Sequence, residues 1–244
     1  MRAILFGTVL IVSLTTYSTA QIDEILEKAG DALSHQNAAS LSDSKITAGL
    51  KQALEISTGK AVSLTGRPDG FFKNQAIKIL LPPKLQTVAK GMRMFGMGAQ
   101  VDELELGMNR AAEQAAPEAK RIFLSALKQM TFDDARQILQ GSDTAATEYF
   151  KRTSTADLTT AFSPIVHRSM ERVGVVQQYN QVIHSAPGGT ALAGQFDLDK
   201  YVVGKTLDGL FYMLGQEEIQ IRKNPAAQTT ALLKEVFGAV AGKR

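Results

Sequence analysis

The clearest hydrophobic pattern along the chain is a helical face between residues 104 and 115. Its small and apolar members recur at the spacing of one side of an α-helix: Leu104, Met108, Ala111, Ala112 and Ala115. Asn109 and Glu113 lie one turn apart on the opposite side, together with Leu106. Because alanine lets neighbouring helices approach closely, the pattern predicts a central helix with Asn109 and Glu113 in a helix–helix seam.

Amphipathic segments of the same period follow one another through most of the remaining chain. Thr131, with Asp134 three residues on, forms a capping box that starts one helix, and Gly141 ends it. Residues 143–150 and 154–174 are predicted to form two successive helices. The pattern as a whole predicts an all-α fold, a single bundle of about eight to ten helices without a substantial sheet.

Only residues 71–81 alternate in the manner of a β-strand, with Ile77 and Ile79 as the apolar positions. Two prolines, Pro82 and Pro83, end this run. A single run of this kind has no strand to pair with, so it predicts a buried extended segment and not a sheet.

The beginning of the chain, residues 1–20, has the pattern of a signal peptide: an early cation, an apolar run and small residues before the cleavage point. The apolar run is about a dozen residues long, whereas a bilayer-spanning helix needs about 20. We expect cleavage after Ala20. Residues 21–40 are then an N-terminal helix and linker, and residues 41–240 a single all-helical domain.

Composition narrows the location and the classes of function. The chain has no cysteine, so disulfides and a lipid anchor on cysteine are not expected, and stability must come from packing. The 27 Lys and Arg residues and the 24 Asp and Glu residues are interspersed, which argues against a nucleic-acid-binding surface. No transmembrane segment is predicted after the signal peptide. The expected location is the periplasm or the outer envelope.

Glu218 is the sharpest candidate for chemistry. It lies in a stripe of apolar residues spaced three and four positions apart: Leu207, Phe211, Leu214 and Ile221. A carboxylate in such a stripe must be paired or hydrogen-bonded, and perturbed carboxylates concentrate at functional sites. The preferred interpretation is a structural ion pair with Arg222, Arg110 or Arg152. Glu217 lies off the stripe and is predicted to be solvated.

These residues and the central helix define a candidate buried polar cluster: Asn109, Arg110, Glu113, Arg152, Glu218 and Arg222. If Glu113 and Glu218 converge, paired carboxylates could perform acid–base chemistry or bind a divalent cation. The sequence defines no distance between them. No metal or other cofactor is predicted, because His35, His167 and His184 share no helical face at ligand spacing.

A stretch rich in methionine and glycine, GMRMFGMG, begins at Gly91. Its methionines Met92, Met94 and Met97 are candidate ligand-binding residues, since methionine-rich surfaces adapt to apolar ligands. The preferred alternative is the C-terminal end of a helix that buries a hydrophobic plug in the core.

Four long motifs resemble a bacterial family classed as domain of unknown function 4197. They are GLKQALEISTGKAV at residues 49–62, MNRAAEQA at 108–115, KQMTFDDARQILQGSDTAATEYF at 128–150, and the segment 207–238 that begins LDGLFYMLGQEEIQIRK. The resemblance implies an all-helical periplasmic or surface-associated domain. Its members are typically exported, many as lipoproteins, and this chain departs from them because it has no lipobox cysteine. The family has no established catalytic residues to transfer.

Three functions are compatible with this sequence, and the preferred one is a non-catalytic binding or interaction module of the cell envelope. Its partner would be an unknown envelope protein or an apolar small molecule. The second is a hydrolase or metal-dependent enzyme built on Glu113 and Glu218 inside the bundle. The third is a carrier of a lipid or another apolar ligand, with the methionine-rich stretch as a wall. The sequence leaves the oligomeric state open.

Overall fold

The computed structural model describes residues 43–172, 174–175, 177, 179–181 and 197–224. Within them the chain forms seven α-helices and no strand, which confirms the all-α fold for this part of the chain. The helices are α1 Asp43–Gly66, α2 Pro83–Met94, α3 Gly98–Ala115, α4 Ala119–Gln129, α5 Phe132–Gln140, α6 Ala145–Arg172 and α7 Leu198–Lys223.

The described residues contain fewer helices than the predicted eight to ten. The helices predicted at residues 22–36 and 225–237 lie outside the described residues, and the one predicted at 175–185 lies partly outside them. A 3-10 turn, Ala116–Glu118, separates α3 from α4, and it contains Pro117, which has no backbone N–H to donate within a helix.

The count of helices is also lower because α6 is one continuous helix, whereas two helices were predicted for its residues. Polar residues interrupt the apolar pattern there, but their hydroxyls donate to carbonyl oxygens one turn back, as Thr153 does to Tyr149 and Thr159 to Thr155. Such bonds satisfy the hydroxyls without ending the helix. A stripe of buried residues four apart runs through the predicted break: Phe150, Ser154, Leu158 and Phe162.

The core lies where α7 and α3 meet the other long helices. Helix α7 packs against α1, α3 and α6, and α3 packs against α1, α2, α6 and α7, as expected of a central helix. Phe123 of α4 contacts Phe150 of α6 and Phe211 of α7, with ring centroids 4.9 Å and 6.1 Å apart. No described helix is both long enough and apolar enough to cross a membrane.

The connection between α1 and α2, residues 67–82, is irregular and yet contributes to the core. Four of its large apolar side chains are buried, namely Phe71, Ile77, Ile79 and Leu81, whereas Leu80 is 48% exposed. The prediction that this segment joins no sheet is confirmed for the described residues, but the predicted extended run is shorter than expected. Residues 71–77 lie mostly in hydrogen-bonded turns, in which the Asn74 amide donates to the Phe71 carbonyl and the Ile77 amide to the Asn74 carbonyl, and only residues 78–82 are free of turns. Buried backbone groups outside a helix or sheet need other hydrogen-bonding partners, and α3 supplies them, as described below.

Gly209 of α7 marks the closest approach of this connection. A Cβ atom there would lie 2.5 Å from Cε1 of Phe71 and 3.1 Å from Cβ of Ile77. Because the Phe71 ring is fully buried, it has no room to move away. We expect Gly209→Ala to lower the free energy of unfolding by about 1–3 kcal/mol through overpacking, as measured by urea denaturation.

Gly204 on the same helix is the control for this substitution. A Cβ atom at Gly204 meets nothing within 4 Å, so Gly204→Ala should be neutral or stabilising by up to about 1 kcal/mol. Equal effects at Gly204 and Gly209 would contradict the close approach.

The predicted capping box is confirmed at the start of α5. The Thr131 side chain accepts from the Asp134 amide at 3.1 Å, and the Thr131 amide donates to the Asp134 carboxylate at 3.0 Å. Hydrogen bonds from the Thr131 side chain and backbone lower the pKa of Asp134. Gly141 caps the other end of the helix, as predicted.

Candidate functional site

Two buried carboxylates, Glu113 and Glu218, hold separate parts of the fold together. Each is only 4% exposed. We call Asn109, Arg110 and Glu113 of α3 the loop clamp, because they bind residues 67–82. We call Glu218 and Arg222 of α7 the helix clamp, because they bind the ends of two neighbouring helices.

In the loop clamp, Asn109 takes the place of a missing strand. Its amide oxygen accepts from the Ile79 backbone N–H at 2.9 Å, and its amide nitrogen donates to the Ile79 carbonyl at 2.8 Å. The same nitrogen donates to the Glu105 carbonyl at 2.7 Å. The fully buried Asn109 side chain therefore gives the extended segment the backbone partners that a sheet would have supplied.

Glu113 binds the first turn of the same connection. One carboxylate oxygen accepts from the backbone N–H groups of Phe71 and Phe72, both at 3.1 Å. The other accepts from the Arg110 guanidinium at 2.6 Å. Arg110 also donates to the Asp69 carboxylate at 2.7 Å. Asp69 has φ 65°, in the left-handed region that few residues other than glycine adopt, so this hydrogen bond ties the clamp to a turn of the connection.

Charge in the loop clamp is balanced by neighbouring ionic groups. Hydrogen bonds from Lys73 and Arg110 lower the pKa of Asp69. The hydrogen bond to Glu113, followed by that to Asp69, raises the pKa of Arg110. Asp69 and Lys73 are partners that the sequence analysis did not identify, and only the turn-forming composition around Asp69 hinted at an ordered turn.

In the helix clamp, Glu218 caps α6 from another helix. Its carboxylate accepts from the backbone N–H groups of Ala146 and Thr147 at 2.9 Å, and from the Thr147 hydroxyl at 2.9 Å. These amides lie in the first turn of α6, where no intrahelical acceptor exists and a negative charge is favoured. Thr147 was not among the predicted site residues, because its role depends on a residue 71 positions away.

Arg222 completes the helix clamp. It donates to Glu218 through two nitrogens, at 3.1 and 2.9 Å, and to the Ile138 carbonyl in the last turn of α5 at 2.8 Å. Glu218 is thus paired with Arg222, one of the three partners considered from the sequence. The side chains of this pair are only 4% and 8% exposed. A cavity of about 10 Å³ borders the pair, which is room for roughly one water molecule.

Five of the six residues of the predicted polar cluster are divided between these clamps, and the sixth, Arg152, belongs to neither. The partners of Glu113 lie in residues 67–82 and α3, whereas the partners of Glu218 lie in α5, α6 and α7. Arg152 is 65% exposed, lies 4.0 Å from Asp134 and stacks over Tyr149. The two carboxylates share no hydrogen-bonding partner among the described residues.

The prediction that Glu217 is solvated is wrong. It is 8% exposed and pairs with Lys60 of α1 at 2.7 Å. The apolar stripe of α7 predicts only one buried face, but α1 and α6 both pack on this helix. A second buried face is a tertiary property that a single helical stripe does not reveal.

The methionine-rich stretch does not form one wall. Met92 is buried at 3% exposure, which agrees with the predicted hydrophobic plug at the end of a helix. Met94 is 84% exposed and Met97 is partly exposed. These methionines therefore face different environments.

A groove large enough for a small ligand lies between α6 and α7, next to the helix clamp. Its volume is about 420 Å³, and its lining combines Thr147, Phe211, Tyr212 and Gly215 with the charged residues Glu148, Lys151 and Asp208. Thr147 connects the groove to Glu218 behind it. A larger open depression of about 770 Å³ runs along the exposed face of α4, and its lining includes no residue of the predicted cluster. No group of three His, Cys, Asp or Glu side chains in the described residues could hold a metal ion.

His167 forms a titratable contact between α6 and the start of α7. Its Nδ1 lies 2.6 Å from Asp199 and its Nε2 lies 3.4 Å from Glu171. The hydrogen bond with Asp199, then the charges of Asp199 and Glu171, raise the pKa of His167 above 6.5, although Arg168 opposes them. The contact therefore stabilises the fold below the unfolded-state pKa, and this contribution is lost as pH rises through the folded-state pKa.

We expect Asp199→Asn to lower the pKa of His167, as measured by NMR titration of the imidazole. The difference in free energy of unfolding between wild type and His167→Gln should become smaller as the pH rises through the folded-state pKa of His167. A His167 pKa that is unchanged by Asp199→Asn would show that the contact is not formed in solution.

Comparison with known proteins gives a family and no further relative. The sequence model of the family described as protein of unknown function (DUF4197) matches residues 40–238. No curated protein and no solved structure matches the chain. The matched region includes both clamps and all seven described helices. The chain therefore belongs to the DUF4197 family.

Proposed function

We propose that this chain is an exported helical protein of the cell envelope that acts as a non-catalytic binding or interaction module. The observation that supports this most is the occupation of its buried carboxylates. All four oxygens of Glu113 and Glu218 already accept hydrogen bonds from backbone, hydroxyl or guanidinium groups. Such oxygens hold neighbouring segments together, whereas a general acid or base must reach its substrate.

The proposed location depends on the beginning of the chain. Residues 1–20 act as a signal peptide, and the mature protein begins at Gln21 in the periplasm or at the outer envelope without a lipid anchor. Residues 41–240 are proposed to form one domain. The intact mass of the protein purified from the envelope tests this, since retention of Met1 would contradict cleavage.

The proposed partner is an envelope protein or an apolar small molecule. Native mass spectrometry of the protein purified from its own envelope should show a retained partner. If Glu113→Gln or Glu218→Gln instead abolished turnover of a substrate while the fold was kept, the enzyme hypothesis would replace this one.

A carrier of a small apolar ligand is the second candidate, and the groove between α6 and α7 favours it. Its volume lies in the range of about 300–1,000 Å³ that small-molecule sites occupy. At Gly215 a Cβ atom would be only in van der Waals contact with Thr144 and Thr147, so a larger side chain would extend into the groove. Gly215→Leu should remove a retained small molecule, and retention by this variant would exclude the groove as its site.

A further inference from the structure

Two adjacent apolar side chains at the turn between α2 and α3 are almost completely exposed to water. Met94 is 84% exposed and Phe95 is 78% exposed. The other exposed large apolar side chains of the described residues are less than half exposed: Ile56 at 38%, Leu80 at 48% and Tyr212 at 46%. A single exposed apolar residue is ordinary, but an adjacent pair at such exposure suggests a binding surface. We call Met94 and Phe95 the apolar tip.

The backbone holds the apolar tip in place. The amide of Phe95 donates to the carbonyls of Gly91 and Met92, and the amide of Met97 donates to the Met92 carbonyl at 2.9 Å. Gly96 has φ 79°, a conformation that glycine adopts without strain, and it lets the chain reverse into α3. Met92 is buried and fixes the end of α2 to the core. The exposed pair is therefore presented on an ordered turn between two packed helices.

The charged side chains of α2, the helix that precedes the apolar tip, are all positive. This helix carries Lys84, Lys90 and Arg93, and no acidic residue. Lys90 lies one helical turn before Met94, and both side chains are exposed. Arg93 pairs with Asp102 of α3, so its charge is largely balanced. Glu103 is the other exposed carboxylate early in α3, and the net charge around the tip is consequently small.

The size of the tip indicates which kind of partner it fits. A stable protein–protein interface buries about 800 Å² on each partner, far more than two side chains provide. A lipid bilayer accepts a few inserted apolar side chains, while neighbouring long cations reach the phosphate groups. Phenylalanine and methionine suit the acyl side of this boundary, and Lys90 suits the headgroup side.

We propose that the apolar tip inserts into the interface of a lipid bilayer, with Lys90 beside the phosphate groups. The proposal rests on the envelope interaction role proposed above, and it names the bilayer as the partner. Because the net charge at the tip is small, insertion of Met94 and Phe95 is the main contribution and anionic lipid adds a smaller one. Binding through two side chains is weak and reversible, as expected of peripheral attachment.

The absence of cysteine allows a site-specific test on the protein purified from its own envelope. Phe95→Cys and, as the control, Ile56→Cys on α1 are each labelled with an environment-sensitive fluorophore. Vesicles of phosphatidylcholine, with or without one quarter phosphatidylglycerol, are then added. We expect a blue shift at position 95 with both vesicles and none at position 56. No shift at position 95 overturns the proposal.

A flotation assay tests the same contact without a label. Met94→Ser combined with Phe95→Ser should reduce the vesicle-bound fraction about tenfold or more, because each side chain of this size contributes roughly one to two powers of ten to partitioning. Both positions are exposed, so the fold should be retained, as circular dichroism would verify. Leu80→Ser is the control and should bind as wild type. Unchanged flotation of the double variant overturns the proposal.

Failure of this proposal can be told apart from failure of the interaction role. If position 95 responds to no vesicle but a photo-crosslinker there captures one defined envelope protein in cells, the bilayer proposal is wrong and the interaction role stands. If neither lipid nor protein contacts position 95, and native mass spectrometry finds no partner, both are wrong.

Discussion

Replacing Glu218 with alanine should lower the free energy of unfolding by roughly 3–5 kcal/mol, the usual effect of removing one partner of a buried ion pair. The substitution leaves the Arg222 guanidinium buried without its carboxylate. It also leaves the first-turn amides of Ala146 and Thr147 without acceptors. Urea denaturation monitored by circular dichroism would measure the loss.

Asp208 on the same helix is the matched control. It pairs with Lys205, and both side chains are exposed, at 69% and 46%. Exposed pairs contribute little, so Asp208→Ala should change the free energy of unfolding by less than about 1 kcal/mol. If Glu218→Ala were no more destabilising than Asp208→Ala, the helix clamp would not have the structural role described here.

Replacing Glu113 with alanine should cost about 3 kcal/mol, the lower end of the range for buried pairs. The lower figure applies because Arg110 is one-third exposed and water can solvate it after the change. The loss should also be local, since the amides of Phe71 and Phe72 lose their acceptor. Hydrogen exchange of these two amides should therefore accelerate more than that of amides in α5.

Glu118→Ala is the control for this variant, because its carboxylate is 46% exposed and lies 3.9 Å from Arg121. Active-site carboxylates commonly reduce stability, so a neutral replacement of a catalytic group often leaves a protein as stable or more stable. If Glu113→Ala or Glu218→Ala raised the stability, the result would favour the enzyme hypothesis and contradict the clamp roles.

The burial of Glu218 and that of Glu217 were predictable to different degrees. Glu218 lies within an apolar stripe of its own helix, and this local pattern correctly indicates a buried group that needs a partner. Its neighbour Glu217 is buried for another reason, since a second helix packs on that side and Lys60 of α1 reaches it. No periodicity within α7 contains that information.

The division of α6 into two helices shows a limit of pattern reading in the other direction. The polar run after Phe150 interrupts the apolar period, which in an isolated sequence indicates a break. In the fold, hydroxyls such as that of Thr155 donate back to the helix, and Ser154 and Leu158 continue the buried stripe. Packing against α3 and α7 keeps the helix continuous.

By itself, the sequence determined the all-α fold, the capping box at Thr131 and the unpaired extended segment around Ile79, because each depends on residues close together in the chain. The tertiary structure alone decided that Asn109 supplies the missing strand partner and that Glu218 caps a helix begun 73 positions earlier, at Ala145. It also decided that Met92 is buried while Met94 is exposed. These outcomes depend on which helices become neighbours, and hydrogen bonding and burial between distant segments are determined only when the whole chain packs.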